Sequence, residues 1–296
     1  MKKQIIFSGV ATALITPFKD GRVDYDALGA LIEMQIDAGI DALVIGGTTG
    51  EAATLSDMER YSLFDFSKKE IKNRCKLILG TGTNDTAGAV RHTLYASRLG
   101  CDGVLVVTPY YNKGTKEGVI RHYLKIAESS DVPVLLYNVP SRTGVTLDIE
   151  LLRELSKCER IVGIKEATDS EDRHLLLSAF GEELWLYSGN DSQIYSTLAL
   201  GGLGVVSVVS NLYPRETKEI CDSFFKGDRK KSLELQLRLM PVINALFLDT
   251  NPAPIKFAMS QKGLCHPDMR LPMWLPTPVC QERIRSAIAE FEKENK

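Results

Sequence analysis

Short runs of apolar, mostly β-branched residues recur along the chain, and most are followed by a stretch with apolar positions at helical spacing. The runs predict strands over Gly9–Leu14, Ala42–Gly46, Lys76–Gly80, Gly103–Thr108, Val132–Asn138, Ile161–Lys165, Leu184–Ser188 and Gly204–Val209. Eight strands alternating with helices predict an α/β fold, a closed parallel (β/α)8 TIM barrel rather than an open sheet. An internal echo supports this. Gly39-Ile40-Asp41-Ala42-Leu43-Val44 resembles Gly100-Cys101-Asp102-Gly103-Val104-Leu105, each a glycine at a helix end, an aspartate, then a buried strand.

The helices carry ordinary start signals. Asp24 is placed to cap a helix whose Leu28, Leu31 and Ile32 face inward. Ser56-Asp57-Met58-Glu59 reads as a capping box, and Asp191 as the cap of a short helix ending at Gly201-Gly202. Beyond Asn211 the strand signal stops. Helical pattern continues to Lys296, broken near Gly227-Asp228, Asn251-Pro252 and Leu271–Pro278. The expected organisation is a barrel over 1–212 and a C-terminal helical extension over 213–296, packed on the barrel. No Pro/Gly/Ser-rich linker interrupts the first eight units.

Lys2 and Lys3 precede an apolar run, and Ala11-Thr12-Ala13 looks like a cleavage site. The run from Ile5 to Phe18 is broken by Ser8, Gly9 and two threonines and is rich in β-branched residues, so a first strand ending at Thr16-Pro17-Phe18 is the better reading. No segment approaches the ~20 uninterrupted apolar residues of a membrane span. The 296 residues are 44% hydrophobic, enough for a sizeable core, and carry a formal net charge of -2 without a long single-sign block. Nucleic acid and acidic membrane are therefore not the expected partners. Six scattered cysteines with no Cys-x-x-Cys pair, and four histidines with no His-Glu-x-x-His, predict reduced thiols and no metal site. The adjacency of Cys265 and His266 is read as chance.

Chemistry points first to Lys165, which ends the buried run Ile161-Val162-Gly163-Ile164. Desolvation disfavours an ammonium, and a neutral amine attacks carbonyl carbon to form a Schiff base. A strand-end lysine whose head snorkels to water is the plain alternative. In a parallel barrel the site lies where strands end, so the loops after them decide. After the second strand comes Gly46-Gly47-Thr48-Thr49-Gly50-Glu51, whose amides and hydroxyls suit a small carboxylate, or simply a tight turn. After the fourth comes Thr108-Pro109-Tyr110-Tyr111-Asn112-Lys113, and after the fifth Tyr137-Asn138-Val139-Pro140-Ser141-Arg142-Thr143-Gly144. Neighbouring strands lie ~4.8 Å apart, so a Tyr137 phenol can reach the Lys165 amine. Arg142 at the barrel mouth suits a substrate carboxylate.

These motifs, with Gly163-Ile164-Lys165-Glu166 and Asn251-Pro252-Ala253-Pro254-Ile255-Lys256, resemble the dihydrodipicolinate synthase family of the pyruvate-dependent class I aldolases, a superfamily that includes N-acetylneuraminate lyase. The resemblance spans nearly the whole chain. It implies condensation of pyruvate with L-aspartate 4-semialdehyde through a Schiff base on Lys165, giving 4-hydroxy-tetrahydrodipicolinate for diaminopimelate and lysine biosynthesis. It implies that Thr48 and Thr49 bind the pyruvate carboxylate, and that Tyr137 relays protons with Thr49 and with Tyr111 of a neighbouring subunit. Arg142 would hold the semialdehyde carboxylate, and Gly189, Asn251 and the backbone of Val206 would line the site. No metal or diffusible cofactor is implied. The implied setting is cytoplasmic, as a homo-oligomer that is a dimer of dimers. One departure stands out. Where lysine-inhibited relatives carry histidines and a glutamate, this chain has Asp57, Arg60 and Gly88, while Asn84 and Tyr110 are kept. Weak feedback by L-lysine is expected. A sister lyase acting on 2-oxo sugar acids, which would not need Arg142, and a non-catalytic metabolite-binding barrel stay open at this point.

Overall fold

The computed structural model describes residues 2–294. Eight parallel strands close into a barrel: β1 Gly9–Ala13, β2 Ala42–Ile45, β3 Lys76–Gly80, β4 Gly103–Val107, β5 Val134–Asn138, β6 Ile161–Glu166, β7 Trp185–Ser188 and β8 Gly204–Ser207. Each pairs with its sequence neighbours, and β1 also pairs with β8, Gly9 opposite Gly204, which completes the ring. The expected (β/α)8 barrel with C-terminal helices is the observed fold, and no strand end departs from its expected position by more than two residues. The first strand ends at Ala13. Phe18 belongs instead to a two-residue hairpin with Arg22–Val23.

Around the ring run α1 Tyr25–Asp37, α2 Asp57–Ile71, α3 Thr86–Leu99, α4 Lys116–Glu128, α5 Ile149–Ser156, α6 Glu171–Ser178, α7 Ile194–Ala199 and α8 Pro214–Phe225. A single helical turn, Pro140–Thr143, follows β5. Three further helices follow: α9 Arg229–Leu246, α10 Ala253–Gln261 and α11 Pro278–Glu294, separated at the predicted breaks. Asp24 caps α1 by accepting from Ala27 N at 3.0 Å, and Ser56 and Glu59 form the predicted capping box of α2. Asp191 is a correction. It caps no helix; its buried Oδ2 accepts from Val208 N and Val209 N at 3.0 and 2.9 Å, tying β7's loop to the turn after β8. Burial pushes its carboxyl above the usual range. Among the described residues no helix is long and apolar enough to cross a membrane.

Strand period two splits the core. Val10, Leu43, Ile45, Leu77, Leu79, Val106, Leu136 and Ile164 face the helices in one cluster. Ala11, Ala13, Ala42, Val44, Ile78, Leu105, Leu135, Tyr137, Tyr187 and Val206 fill the barrel in another. Fully burying one large apolar side chain stabilises by about 1.5–3 kcal/mol, so both layers matter. The small alanines of β1 and β2 offset the large rings of β5 and β7. Below them the N-terminal segment plugs the floor. Trp185 Nε1 donates to Lys3 O at 3.0 Å and Tyr187 OH to Phe7 O at 2.7 Å, with the Phe7 and Tyr187 rings stacked 4.4 Å apart.

The internal echo has a physical task. Gly39 and Gly100 both end helices at positive φ, +77° and +73°. The aspartate two residues on then caps the strand next door: Asp41 Oδ2 accepts from Val10 N and Asp102 Oδ2 from Leu77 N, each at 2.9 Å. Both carboxylates satisfy a strand amide at the floor of the barrel, away from the loops that carry the site.

Candidate active site

Inward parity places Tyr137 and Lys165 as direct partners across β5 and β6. Lys165 is 6% exposed, and its Nζ lies 4.2 Å from the centroid of the Tyr137 ring. Among the described residues Nζ makes no hydrogen bond and no ion pair. The snorkelling alternative fails, because the amine stays inside the barrel. The strand ends are pinned from behind by a buried network. Glu166, fully buried, accepts from Asn138 Nδ2 at 2.8 and 3.0 Å and from Arg173 Nε at 2.7 Å. Arg173 Nη2 also donates to Leu147 O at 2.6 Å, and Leu147 N donates to Asn138 Oδ1 at 3.0 Å. Every member is partnered, so the network fixes the register of the two strands that carry Tyr137 and Lys165.

The loop after β2 is a tight turn with open donors. Gly46 sits at φ +68°, and a Cβ there would lie 2.9 Å from Phe64 Cε1. Glu51 N donates to Thr48 O at 3.0 Å and Ala52 N to Gly47 O at 3.3 Å. The amides of Thr48 and Thr49 donate to no other group among the described residues, which leaves two N–H groups for an anion. The turn is clamped by the C-terminal extension. Glu51, itself left-handed at φ +52°, pairs with Lys256 Nζ at 2.6 Å, with both side chains at 1% and 0% exposure. Lys256 also donates to Thr16 O at 3.0 Å, and Glu51 Oε2 accepts from Arg270 N at 3.0 Å. Burial pulls the Lys256 ammonium below its ordinary value, while Glu51 opposes the shift.

A second contact from the same segment reaches Thr49, which is buried. Asn251 Nδ2 donates to Thr49 Oγ1 at 3.0 Å, and Asn251 O accepts from Arg142 Nη2 at 2.9 Å. Thr49 therefore pairs with Asn251 and makes no hydrogen bond to Tyr137. Arg142 is exposed at the mouth, as the single turn Pro140–Thr143 carries it there. A cavity of about 440 Å³ opens at this end of the barrel, with Gly47, Thr48, Tyr137, Arg142 and Asn251 in its wall. It continues toward Asp57, Arg60, His92 and Tyr110. Thr49, Lys165, Gly189 and Val206 are not in that wall. Val206 is fully buried opposite Ala11 on β1. At Gly189 a Cβ would meet Ala167 Cβ at 2.6 Å, so the absent side chain lets the β7 loop pack on β6.

Tyr111 does not join the others. It is 90% exposed, at φ +67°, a backbone state that non-glycine residues adopt at some cost. In the second lobe Arg60 is buried, donating to Ala52 O at 2.7 Å and Gly80 O at 3.3 Å. Burial lowers both the Arg60 guanidinium and the His92 imidazole from their ordinary values. Asp57 Oδ1 lies 3.6 Å from His92 Nε2. His266 pairs with Asp268 at 2.9 Å, which accounts for it without Cys265. Among the described residues no group of three His, Cys, Asp or Glu side chains is placed to hold a metal ion.

The profile of the dihydrodipicolinate synthetase family matches residues 6–290. The chain belongs to the dihydrodipicolinate synthetase family. A 4-hydroxy-tetrahydrodipicolinate synthase of Clostridium novyi is 40% identical over 289 residues, covering 97% of this chain and 98% of that one. The structure of the 4-hydroxy-tetrahydrodipicolinate synthase from the thermoacidophilic methanotroph Methylacidiphilum fumariolicum superposes with a TM-score of 0.95 at 39% identity, covering 97% and 96% of the two chains. A solved monomeric dihydrodipicolinate synthase variant superposes with a TM-score of 0.94 at 38% identity, with 97% of each chain covered. The family match thus spans the whole barrel and most of the C-terminal helices. Asn138, Glu166, Arg173 and Lys256, which hold the site of this family member, went unremarked as functional in the sequence. Only the polarity of Glu166 and Arg173 near a strand end could have signalled them.

Removing one partner of a buried ion pair strands the other charge. Lys256→Met is expected to lower unfolding stability by roughly 3–5 kcal/mol, measured by urea titration. Glu51→Gln combined with Lys256→Met is expected to recover most of that loss. A single variant as stable as the parent would refute the clamp.

Proposed function

We infer that this chain condenses pyruvate with L-aspartate 4-semialdehyde to 4-hydroxy-tetrahydrodipicolinate through an imine on Lys165. The observation that carries this is the Lys165 amine, held inside the barrel beside Tyr137 without a hydrogen-bond or ion-pair partner among the described residues. Lys165 Nζ attacks the keto carbon of pyruvate and water leaves. The imine draws electrons from the methyl group, which loses a proton to become an enamine. The enamine carbon attacks the aldehyde, and the amine of the second substrate then closes the ring and displaces Lys165. Positioned acid–base groups contribute typically ~10²–10⁴-fold to such steps.

The open amides of Thr48 and Thr49 suit the pyruvate carboxylate. The Arg142 guanidinium at the mouth suits the semialdehyde carboxylate. Tyr137 carries protons, with Tyr111 as its relay partner, while the Thr49 hydroxyl pairs with Asn251. Exposure of Tyr111 at a strained backbone position supports its use by a second copy, in a dimer of dimers. Gly189, Val206 and Asn251 shape the surroundings. No diffusible cofactor enters. Six free cysteines fit a cytoplasmic setting. The barrel is assigned to 1–212 and the extension to 213–296, with α8 serving also as the outer helix of the eighth unit.

Borohydride with pyruvate is expected to trap a covalent adduct mapping to Lys165 by mass spectrometry, and the enzyme to turn over pyruvate with the semialdehyde in preference to cleaving 2-oxo sugar acids. No adduct would exclude the imine, and turnover of sialic or 2-keto-3-deoxy acids alone would make it a sister lyase. For Tyr111→Phe, turnover is expected to fall with the fold and pyruvate trapping intact. Unchanged turnover would remove the cross-subunit relay. In the second lobe the buried Arg60 cation disfavours an ammonium ligand. L-lysine is therefore expected to inhibit weakly in an activity titration, and strong saturable inhibition at low lysine would contradict that.

A further inference from the structure

Two side chains of the segment 251–256 grip the β2 loop, and they differ in kind. Lys256 neutralises Glu51. Asn251 instead touches a hydroxyl, donating from Nδ2 to Thr49 Oγ1 at 3.0 Å. Asn251 and Thr49 are 6% and 3% exposed, so bulk water does not compete for this contact. A hydroxyl owns one proton and two lone pairs. With a lone pair of Thr49 engaged by the amide, its proton points away from Asn251. A carboxylate is an acceptor only, so a hydroxyl serves it only by donating. The amide keeps this orientation at a cost, since Asn251 Oδ1 is buried with no partner among the described residues. A buried acceptor left unpaired beside a site calls for a reason, and the donated N–H is one.

We propose that Asn251 is a positioning residue that sets the proton polarity of Thr49, turning its hydroxyl into a donor for the keto-acid carboxylate. Its carbonyl, which accepts from Arg142 Nη2 at 2.9 Å, holds the guanidinium in the same frame. One residue of the C-terminal extension thereby orients both carboxylate-binding groups, one through its side chain and one through its backbone. This deepens the function proposed above and rests on its assignment of the pyruvate carboxylate to the Thr48–Thr49 turn.

The split between side chain and backbone makes a test possible. KM for pyruvate and for the semialdehyde would be measured in Asn251→Ala, Thr49→Val and the double variant, with thermal unfolding as a check on folding. Each single variant is expected to raise KM for pyruvate about tenfold, the range of a hydrogen bond to a charged group. The double variant is expected to be no worse than either single by more than about twofold, because Asn251 acts through Thr49. KM for the semialdehyde is expected to hold, since the carbonyl survives. The isosteric Asn251→Asp keeps the question answerable if Asn251→Ala fails to fold. An ionised aspartate would accept the Thr49 proton and reverse its polarity. Its KM for pyruvate is expected to fall back toward the parent value as pH drops and the new acid becomes a donor. A purely structural role would leave a loss independent of pH.

Losses that multiply in the double variant would overturn the proposal. So would pyruvate KM in Asn251→Asp equal to the parent's at all pH values. Borohydride trapping of pyruvate by the parent protein separates this from the reading beneath it. If the parent forms no adduct, the imine chemistry fails; if the parent traps pyruvate and the cycle is multiplicative, only the role of Asn251 fails.

Discussion

The buried ion pair between Glu51 and Lys256 is the constraint on which the site depends. Its two charges are out of water, so each is tolerable only while the other is present. That necessity joins two parts of the chain 205 residues apart, the turn after β2 and the start of α10. Glu51 is also held in a left-handed conformation at the end of the same turn. The pair therefore does more than add attraction. It makes the shape of the Gly46–Glu51 turn conditional on the docking of the C-terminal helices. Lys256 and Arg270 both lie over the ring of Phe18, at 4.5 Å, so the hairpin after β1 belongs to the same clamp.

A second polar assembly works on the opposite side of the mouth. Glu166, Asn138 and Arg173 spend their hydrogen bonds on one another and on Leu147, which leaves no slack at the ends of β5 and β6. Parallel neighbours in fixed register place inward residues of like parity side by side. Tyr137 and Lys165 meet for that reason and not through any direct hydrogen bond. The Lys165 amine is positioned by strand pairing, whereas the Gly46–Glu51 turn is positioned by helices added after the barrel. One candidate site thus draws its lysine from the ring and its open amides from a contact between ring and extension.

Much of this was legible in the order of residues, and the limits have physical causes. The strands were legible because β-branched runs bounded by glycine and aspartate have few other uses. Lys165 and Tyr137 were legible because strand ends of a parallel barrel share one rim. Asp191 was misread because an aspartate before a helical stretch looks like a cap, while its partners, Val208 and Val209, come from the next strand's turn. The clamps of Asn251 and Lys256 were illegible in their roles. Their partners Thr49 and Glu51 are 202 and 205 residues away, a separation on which local patterning is silent. Tyr111 was placed by resemblance alone, because nothing in Pro109-Tyr110-Tyr111-Asn112 separates it locally from an ordinary loop residue.

The plugged floor of the barrel bears on how the chain is made. β1 is complete on the β2 side within the first fifty residues, yet its other edge pairs only with β8, and the plug of Ile6 and Phe7 waits for β7. A polypeptide emerging from the ribosome must carry an apolar, half-satisfied leading strand through most of its translation. The ring cannot shut until the last strand is released from the exit tunnel. For this architecture, β1 is among the last parts to settle.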